Sequence, residues 1–291
     1  MVPFVRSTIA LAAAALLAAA SAARQQPVFR SGVDVVSVDV SVRAGNSPLQ
    51  GLRAEDFDLR DNDVAQTIND ISYETQPIDA TIALDVSQSV NGTVLDGMRK
   101  AVEALMGDLG PGDRLKLFSF NERIVRAVDY TSDAKAASAA IKSAAGFGGT
   151  SILDAMAVAL VGAHELDRRQ LLVVFSDGRD STSISERDGL LDVARRSHAA
   201  ADVVLSARSM TGDLRDFYEA VAKETGGLVM PVVPGSDVSK AFRTVLSDFR
   251  SSYVLHFTPQ GVERSGYHTL TVAVRRSGHL DVRARRGYFG G

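Results

Sequence analysis

The pattern of hydrophobic positions changes its period twice along the 291-residue chain. Between residues 36 and 42, valines alternate with polar residues, and a period of two is typical of a strand with one buried face. Weaker strand candidates follow at residues 57–59 and 66–73. Residues 28–76 are therefore predicted to form an N-terminal β segment.

Residues 77–250 have a different pattern, in which short apolar runs alternate with helical three- and four-residue spacing. The run at residues 171–175 is continuously apolar, as expected for a central parallel strand that is covered on both faces. This alternation predicts an α/β domain with a doubly wound, mostly parallel sheet and helices on both faces.

The period of two returns in residues 251–291, which contain three short alternating stretches. Neither terminal β segment has enough strands to bury a face alone. We therefore predict that residues 251–291 pack with residues 28–76 as one small β-sandwich, with the α/β domain of residues 77–250 inserted between them.

The first 23 residues differ from the rest, because Arg6 is their only charge and residues 8–23 form an unbroken small or apolar run. This is the pattern of a secretory signal peptide with a small-residue cleavage site. The run is short and alanine-rich for a membrane span, although an uncleaved anchor is the alternative. We expect cleavage and an exported protein, periplasmic or secreted, without stable membrane insertion.

The net charge and the absence of cysteine exclude several classes of function. Removal of residues 1–23 changes the formal net charge from −3 to about −4, so the mature protein offers no general attraction for nucleic acid. The chain has no cysteine, which excludes disulfides, thiolate zinc sites and a lipid-modified N-terminal cysteine.

Candidate chemistry lies in three places that follow a predicted strand or begin a helix: Asp85, Ser87 and Ser89, then Thr150, then Asp177. In an open α/β sheet, ligands bind outside the carboxyl ends of the strands. An all-oxygen set of this kind suits a hard divalent cation, Mg²⁺ above all, with Mn²⁺ or Ca²⁺ as alternatives. The first motif alone also occurs in helix caps and turns, so the prediction depends on the combination.

The combination resembles the metal-ion-dependent adhesion site of von Willebrand factor type A domains. Asp85-x-Ser87-x-Ser89, Thr150 in Gly-Gly-Thr, and Asp177 before a glycine match the family's residue types in the family's order, and the resemblance covers about residues 78–250. The flanks are similar to a bacterial family of exported VWFA-related proteins. Their marks are Leu52, Glu55-Asp56-Phe57, Tyr253-x-Leu255-x-Phe257, Tyr267-His268 and Arg286-Gly287-Tyr288-Phe289.

The resemblance implies a Mg²⁺ bound directly by the hydroxyls of Ser87, Ser89 and Thr150, with Asp85 and Asp177 often acting through water. A cation bound in this way keeps a coordination position that an aspartate or glutamate of a partner can take. The leading hypothesis is therefore an exported, metal-dependent protein-binding module of the adhesion type, without catalysis, whose protein ligand presents an acidic side chain.

Two other hypotheses remain open. Asp85 could act as the nucleophile of a phosphoryl-transfer or other hydrolytic enzyme, although Ser87 stands where such enzymes usually have a second acid. Alternatively, the chain is a structural envelope component in which a metal stabilises the loops. Two further acids receive lesser roles: Asp154 as a capping acid for its own helix, and Asp180 as a solvated loop charge.

Overall fold

A computed structural model of the chain describes residues 35–90, 92–142, 146–163, 167–207, 212–233 and 236–290. The predicted signal peptide, residues 1–23, lies outside them. Among the described residues, no helix is long and apolar enough to cross a membrane. In chain order the strands are β1 (Val36–Ala44), β2 (Ser47–Pro48), β3 (Phe57–Asp61), β4 (Val64–Ala65), β5 (Ile68–Tyr73), β6 (Ile78–Asp85), β7 (Arg114–Phe120), β8 (Ile124–Thr131), β9 (Arg169–Ser176), β10 (Ala200–Ser206), β11 (Val229–Val232), β12 (Tyr253–Phe257), β13 (Gly266–Val274), β14 (Leu280–Ala284) and β15 (Gly287–Gly290). The α-helices are α1 (Thr93–Gly107), α2 (Ala134–Lys142), α3 (Ile152–Val161), α4 (Arg187–Arg196), α5 (Gly212–Thr225) and α6 (Val238–Arg250).

The central sheet has the strand order β11-β10-β9-β6-β7-β8. Its pairs are parallel except for the edge pair of β7 and β8. The predicted doubly wound α/β fold is confirmed. The sequence did not predict strand β8. Register shifts interrupt its pairing with β7, and none of its side chains is fully buried. Its sequence therefore has no clear alternation of apolar and polar residues.

Both faces of this sheet are buried, and strand β9 has apolar side chains on each face. Leu171, Val173 and Phe175 join the core with helices α1, α2 and α6. Leu172 and Val174 join the core on the opposite face, with helices α3, α4 and α5. Because successive side chains of a strand point to opposite faces, a strand between two helical layers must be continuously apolar.

Two further sheets combine strands from both ends of the chain. One has the order β14-β1-β12-β5, with β2 beside β1, and the other has the order β15-β13-β3-β4. Val38, in the centre of β1, faces Leu255 of β12, and both side chains belong to a shared core with Phe57 and Leu59 of β3. The predicted pairing of the terminal β segments is confirmed, and neither segment completes a sheet alone.

A charged junction joins the β-sandwich to the amino ends of the central strands. The buried guanidinium of Arg169, at the start of β9, contacts Asp39 of β1 at 2.7 Å and donates to the carbonyl of Phe249 at 2.6 Å. Asp248 accepts from Arg43 at 2.6 Å and also from Arg283. Each buried charge has an opposite partner, as burial away from water requires.

Asp202 of β10 is a buried carboxyl near this junction. Burial raises its pKa to about 7, although Arg283 and the backbone N–H of Leu228, which donates to it at 2.7 Å, favour the ionised form. The pKa of an aspartate in an unfolded chain is about 3.9. Between these two pKa values the folded protein retains a proton that the unfolded chain has lost.

We therefore expect Asp202 to make the free energy of unfolding fall as the pH rises from about 4 to about 7, and to contribute no further change above that range. At about 1.36 kcal/mol per pKa unit, the fall is roughly 4 kcal/mol. Asp202→Asn keeps an acceptor for the N–H of Leu228 and removes the titration. Urea unfolding of both proteins in chelator should show the variant gaining stability relative to the wild type as the pH rises. A difference independent of pH would contradict this expectation.

Candidate metal site

The five predicted site residues all lie at the carboxyl edge of the central sheet, four of them on loops and one at the end of a strand. Asp85 ends β6, and Asp177 follows the last residue of the neighbouring strand β9. Ser87 and Ser89 follow Asp85 directly, and Thr150 lies two residues before α3. The structure thus brings residues from three distant parts of the chain to one edge.

The carboxylate of Asp85 is completely buried and both of its oxygens accept hydrogen bonds. Oδ1 accepts from the backbone N–H of Ser87 at 2.8 Å, and Oδ2 accepts from the hydroxyl of Ser176 at 2.6 Å. Burial raises the pKa of Asp85, the nearby charge of Asp177 adds to this, and these hydrogen bonds oppose it. A cation beside the group would favour its ionised form.

The hydroxyls of Ser87 and Ser89 lie 3.0 Å apart, with Ser87 buried and Ser89 exposed. Val86 lies between Asp85 and Ser87 in the chain. It is buried, and its N–H donates to the carbonyl of Phe120 at 2.8 Å. Adjacent ligands of an octahedral Mg²⁺, with bonds of about 2.0–2.1 Å, are themselves about 3 Å apart. The spacing of the two hydroxyls therefore fits two neighbouring positions of such a shell.

Two glycines bring Thr150 close to the loop that follows Asp177. Gly148 has a positive φ of 72°, and a Cβ on Gly149 would lie 2.6 Å from the methyl group of Thr182. The N–H of Thr150 donates to the hydroxyl of Ser181 at 2.9 Å, and its carbonyl accepts from the N–H of Ser181 at 2.9 Å. In the part of the chain that the structure describes, no hydrogen-bond partner is found for the Thr150 hydroxyl, which remains free to act as a ligand.

Two residues that support the site were missed in the sequence. Ser176 donates to Asp85 and accepts from the N–H of Gly178 at 2.9 Å, so it ties the ends of β6 and β9 together. The buried Tyr218 of α5 donates to the carbonyl of Gly178 at 3.1 Å, and burial, with the charge of Asp180, raises its pKa so that it stays a donor. The one sequence signal for Ser176 is a polar residue at the end of an apolar strand.

The role predicted for Asp154 is wrong. Its carboxylate does not cap α3, because its two oxygens accept from the N–H groups of Ile184 and Ser185, each at 2.8 Å. Partial burial alone would raise the pKa of Asp154, but these hydrogen bonds outweigh it and lower the pKa. Asp154 therefore stays ionised and fixes the loop after Asp177. Asp180 is exposed, as predicted.

The donor set is compatible with a hard cation. Among the described residues, no group of three or more histidine, cysteine, aspartate or glutamate side chains could hold a metal. The candidate site has two carboxylates, Asp85 and Asp177, and its other oxygens are hydroxyls. Such a set suits Mg²⁺, which accepts few protein carboxylates and retains water.

The fold and this edge define a class: a wound α/β domain with an oxygen-rich site where the strands end. Residues 81–179 match the family model of the von Willebrand factor type A domain. The matched segment includes all five predicted site residues. Over this segment the chain is similar to von Willebrand factor type A domains, as the sequence predicted. The likeness of its flanks to exported bacterial relatives stays a prediction.

Solved structures of three proteins illustrate the likeness. The minor pilin PilB from Streptococcus sanguinis has 11% identity and a TM-score of 0.50, over 60% of this chain and 62% of its own. A von Willebrand factor type A protein from Catenulispora acidiphila has 12% identity and a TM-score of 0.49, over 90% of this chain and 76% of its own. A serine-substituted aerotolerance-related membrane protein from Bacteroides fragilis has 17% identity and a TM-score of 0.48, over 59% of this chain and 98% of its own.

At these identities the likeness concerns the fold alone. No match was found among curated proteins.

Ser176→Ala should lower the affinity for Mn²⁺ by about tenfold to a hundredfold. It removes a hydrogen bond to a carboxylate, and such bonds contribute about 1.5–3 kcal/mol. Isothermal titration calorimetry measures the change. Ser197→Ala is the matched control, because Ser197 is also buried, donates to the carbonyl of Leu160 and accepts from the N–H of Ala199. Equal Mn²⁺ affinity in the two variants would show that Ser176 has no special role.

Proposed function

We propose that this protein is an exported, Mg²⁺-dependent protein-binding module of the adhesion type, which binds an acidic side chain of a partner protein. Its ligands for the metal are the hydroxyls of Ser87, Ser89 and Thr150, with Asp85 and Asp177 as nearby carboxylates. A Mg²⁺ bound there would supply an open coordination position for a carboxylate. Export is inferred from the signal-like residues 1–23.

The observation that carries the proposal is the arrangement around Asp85. Its two oxygens are engaged by Ser87 and Ser176, while the hydroxyls of Ser87 and Ser89 lie side by side at 3.0 Å. Hydroxyl ligands carry no formal charge, so a cation bound by them is less neutralised than one bound directly by carboxylates. That excess charge favours a carboxylate from another molecule.

The same arrangement disfavours the enzyme hypothesis. A nucleophilic aspartate needs an oxygen that can reach the substrate, whereas Asp85 is fully buried and both of its oxygens accept hydrogen bonds. Ser87 also stands two residues after Asp85, where phosphoryl-transfer enzymes with a nucleophilic aspartate usually have a second acid. Binding without catalysis is therefore the function that the geometry supports best.

Calorimetry with Mg²⁺ and Mn²⁺ should give one binding site per chain, which Thr150→Ala weakens by at least about tenfold because a direct ligand is lost. Thr244→Ala is the matched control: Thr244 is exposed on α6, where its hydroxyl donates to the carbonyl of Lys240. Absence of cation binding by the wild type would overturn the proposal.

Capture of partners from extracellular or periplasmic extract should then depend on the metal. Proteins retained in Mg²⁺ should be released by chelator and not retained by Thr150→Ala. Steady turnover of a phosphate ester that Asp85→Asn abolishes would instead favour the enzyme. A rise in melting temperature with metal, without any chelator-sensitive partner, would favour the structural envelope component.

A further inference from the structure

A cleft of about 460 Å³ lies between an edge of the central sheet and the β-sandwich. Its walls include Lys223 of α5, Val229 of β11, Asp281 of β14 and Arg286, which follows β14. Val229 is the first residue of β11, so the cleft lies toward the amino ends of the central strands, away from the candidate metal site. Its volume is typical of ligand-binding clefts.

Two cations that line the cleft have no partner. Residues 275–286 contain five arginines. Four of them have partners within the fold: Arg275 with Asp58, Arg276 with Asp56, Arg283 with Asp248, and Arg285 with the carbonyls of Arg195 and Gly287. The fifth, Arg286, is exposed, and so is Lys223; neither side chain has a hydrogen bond or ion pair with another described residue.

The acids of the cleft do not balance these two cations. Glu219 of α5 is already paired with Arg215 at 2.7 Å. Asp281 is exposed and unpaired among the described residues, so one free carboxylate stands against two free cations. The cleft therefore favours an anionic occupant.

The cleft also contains a short stretch of unpaired strand edge. β11 is the last strand in the order of the central sheet and lies beside β10. Val229 is opposite Val203, whose N–H donates to the carbonyl of Leu228. Because the ladder bonds go to the neighbours of Val229, its own N–H and carbonyl point away from β10. Pro231, the next outward residue, has no N–H, which limits pairing to the stretch beside Val229.

Exposed lysines and arginines are ordinary on protein surfaces. Lys223 and Arg286 differ because they line one cleft together with a free backbone N–H and carbonyl. A small anion would use only the two cations. An extended polypeptide with acidic side chains would use the cations and the strand edge.

We infer that this cleft binds an extended acidic segment of a partner polypeptide, which adds a short strand beside Val229 and places carboxylates near Lys223 and Arg286. Addition of a peptide strand to a free sheet edge is a recurring mode of recognition, in which backbone hydrogen bonds provide affinity and side chains provide specificity. The binding needs no metal, so the inference is independent of the proposed function.

Fluorescence anisotropy of labelled peptides in chelator tests the inference, because chelator removes any contribution of the candidate metal site. The probe is a short peptide of alternating valine and glutamate, compared with one that has glutamine in place of glutamate. We expect the glutamate peptide to bind at least about tenfold more tightly, because its carboxylates meet the two cations. Methylation of its backbone nitrogens should weaken binding, because the hydrogen bonds to Val229 are lost.

Lys223→Glu with Arg286→Glu should weaken binding of the glutamate peptide at least about tenfold. Both side chains lack partners, so the melting temperature should be retained. Lys100→Glu with Arg123→Glu is the matched control, with the same change in net charge at exposed positions on α1 and before β8, the opposite edge strand. It should bind the peptide as the wild type does. Asp281→Lys should tighten binding, because it removes the opposing carboxylate.

Four outcomes would overturn the inference: no binding of either peptide, equal binding of the glutamate and glutamine peptides, equal loss in the two charge-reversal variants, or undiminished binding of the methylated peptide. The last would make the cleft a site for free anions. Mn²⁺ titration of Lys223→Glu with Arg286→Glu should match the wild type. Failure of the cleft and failure of the metal site are therefore measured separately.

Discussion

The buried carboxylate of Asp85 is the point on which the geometry of the site depends. It accepts hydrogen bonds from Ser87 in its own loop and from Ser176 at the end of the neighbouring strand. Through Ser176 it is linked to Gly178, and through Gly178 to Tyr218 of α5. A shift of Asp85 would therefore change the loops after both β6 and β9. Such fixed support is what a metal site needs if its ligands are to keep their spacing.

The loop that carries Thr150 depends on the same close packing. Gly149 leaves no space for a side chain against Thr182, and the carbonyl of Thr150 accepts from the N–H groups of Ser181 and Thr182. Asp154 then fixes Ile184, the next part of that loop. The loop that carries Thr150 and the loop after Asp177 are thus held together by one network of hydrogen bonds.

At the opposite end of the central sheet, the β-sandwich is attached by buried charges. Arg169 reaches Asp39 of β1 and the end of α6, and Asp248 of α6 accepts from arginines of β1 and β14. Breaking a buried pair by removing one partner leaves a charge that costs roughly 3–5 kcal/mol. The β11 edge of the central sheet is protected in another way. The carbonyls of Leu228 and Val232 accept from the N–H groups of Val203 in β10 and of Ala207 just after it, so Pro231 faces outward without an N–H to offer.

The sequence alone determined the class of fold and supplied the candidate site residues, because both depend on local patterns. Continuous apolar runs such as residues 171–175 reveal a covered strand, and Asp85-x-Ser87-x-Ser89 with Thr150 and Asp177 forms a motif readable without coordinates. The tertiary structure alone decided which residues support that motif. Ser176, Tyr218 and Asp154 act through partners 91, 40 and 30 positions away in the chain, and no local pattern encodes such contacts. Edge strand β8 was not predicted for a related reason: it forms by pairing with β7, and its own residues show no clear alternation of apolar and polar positions.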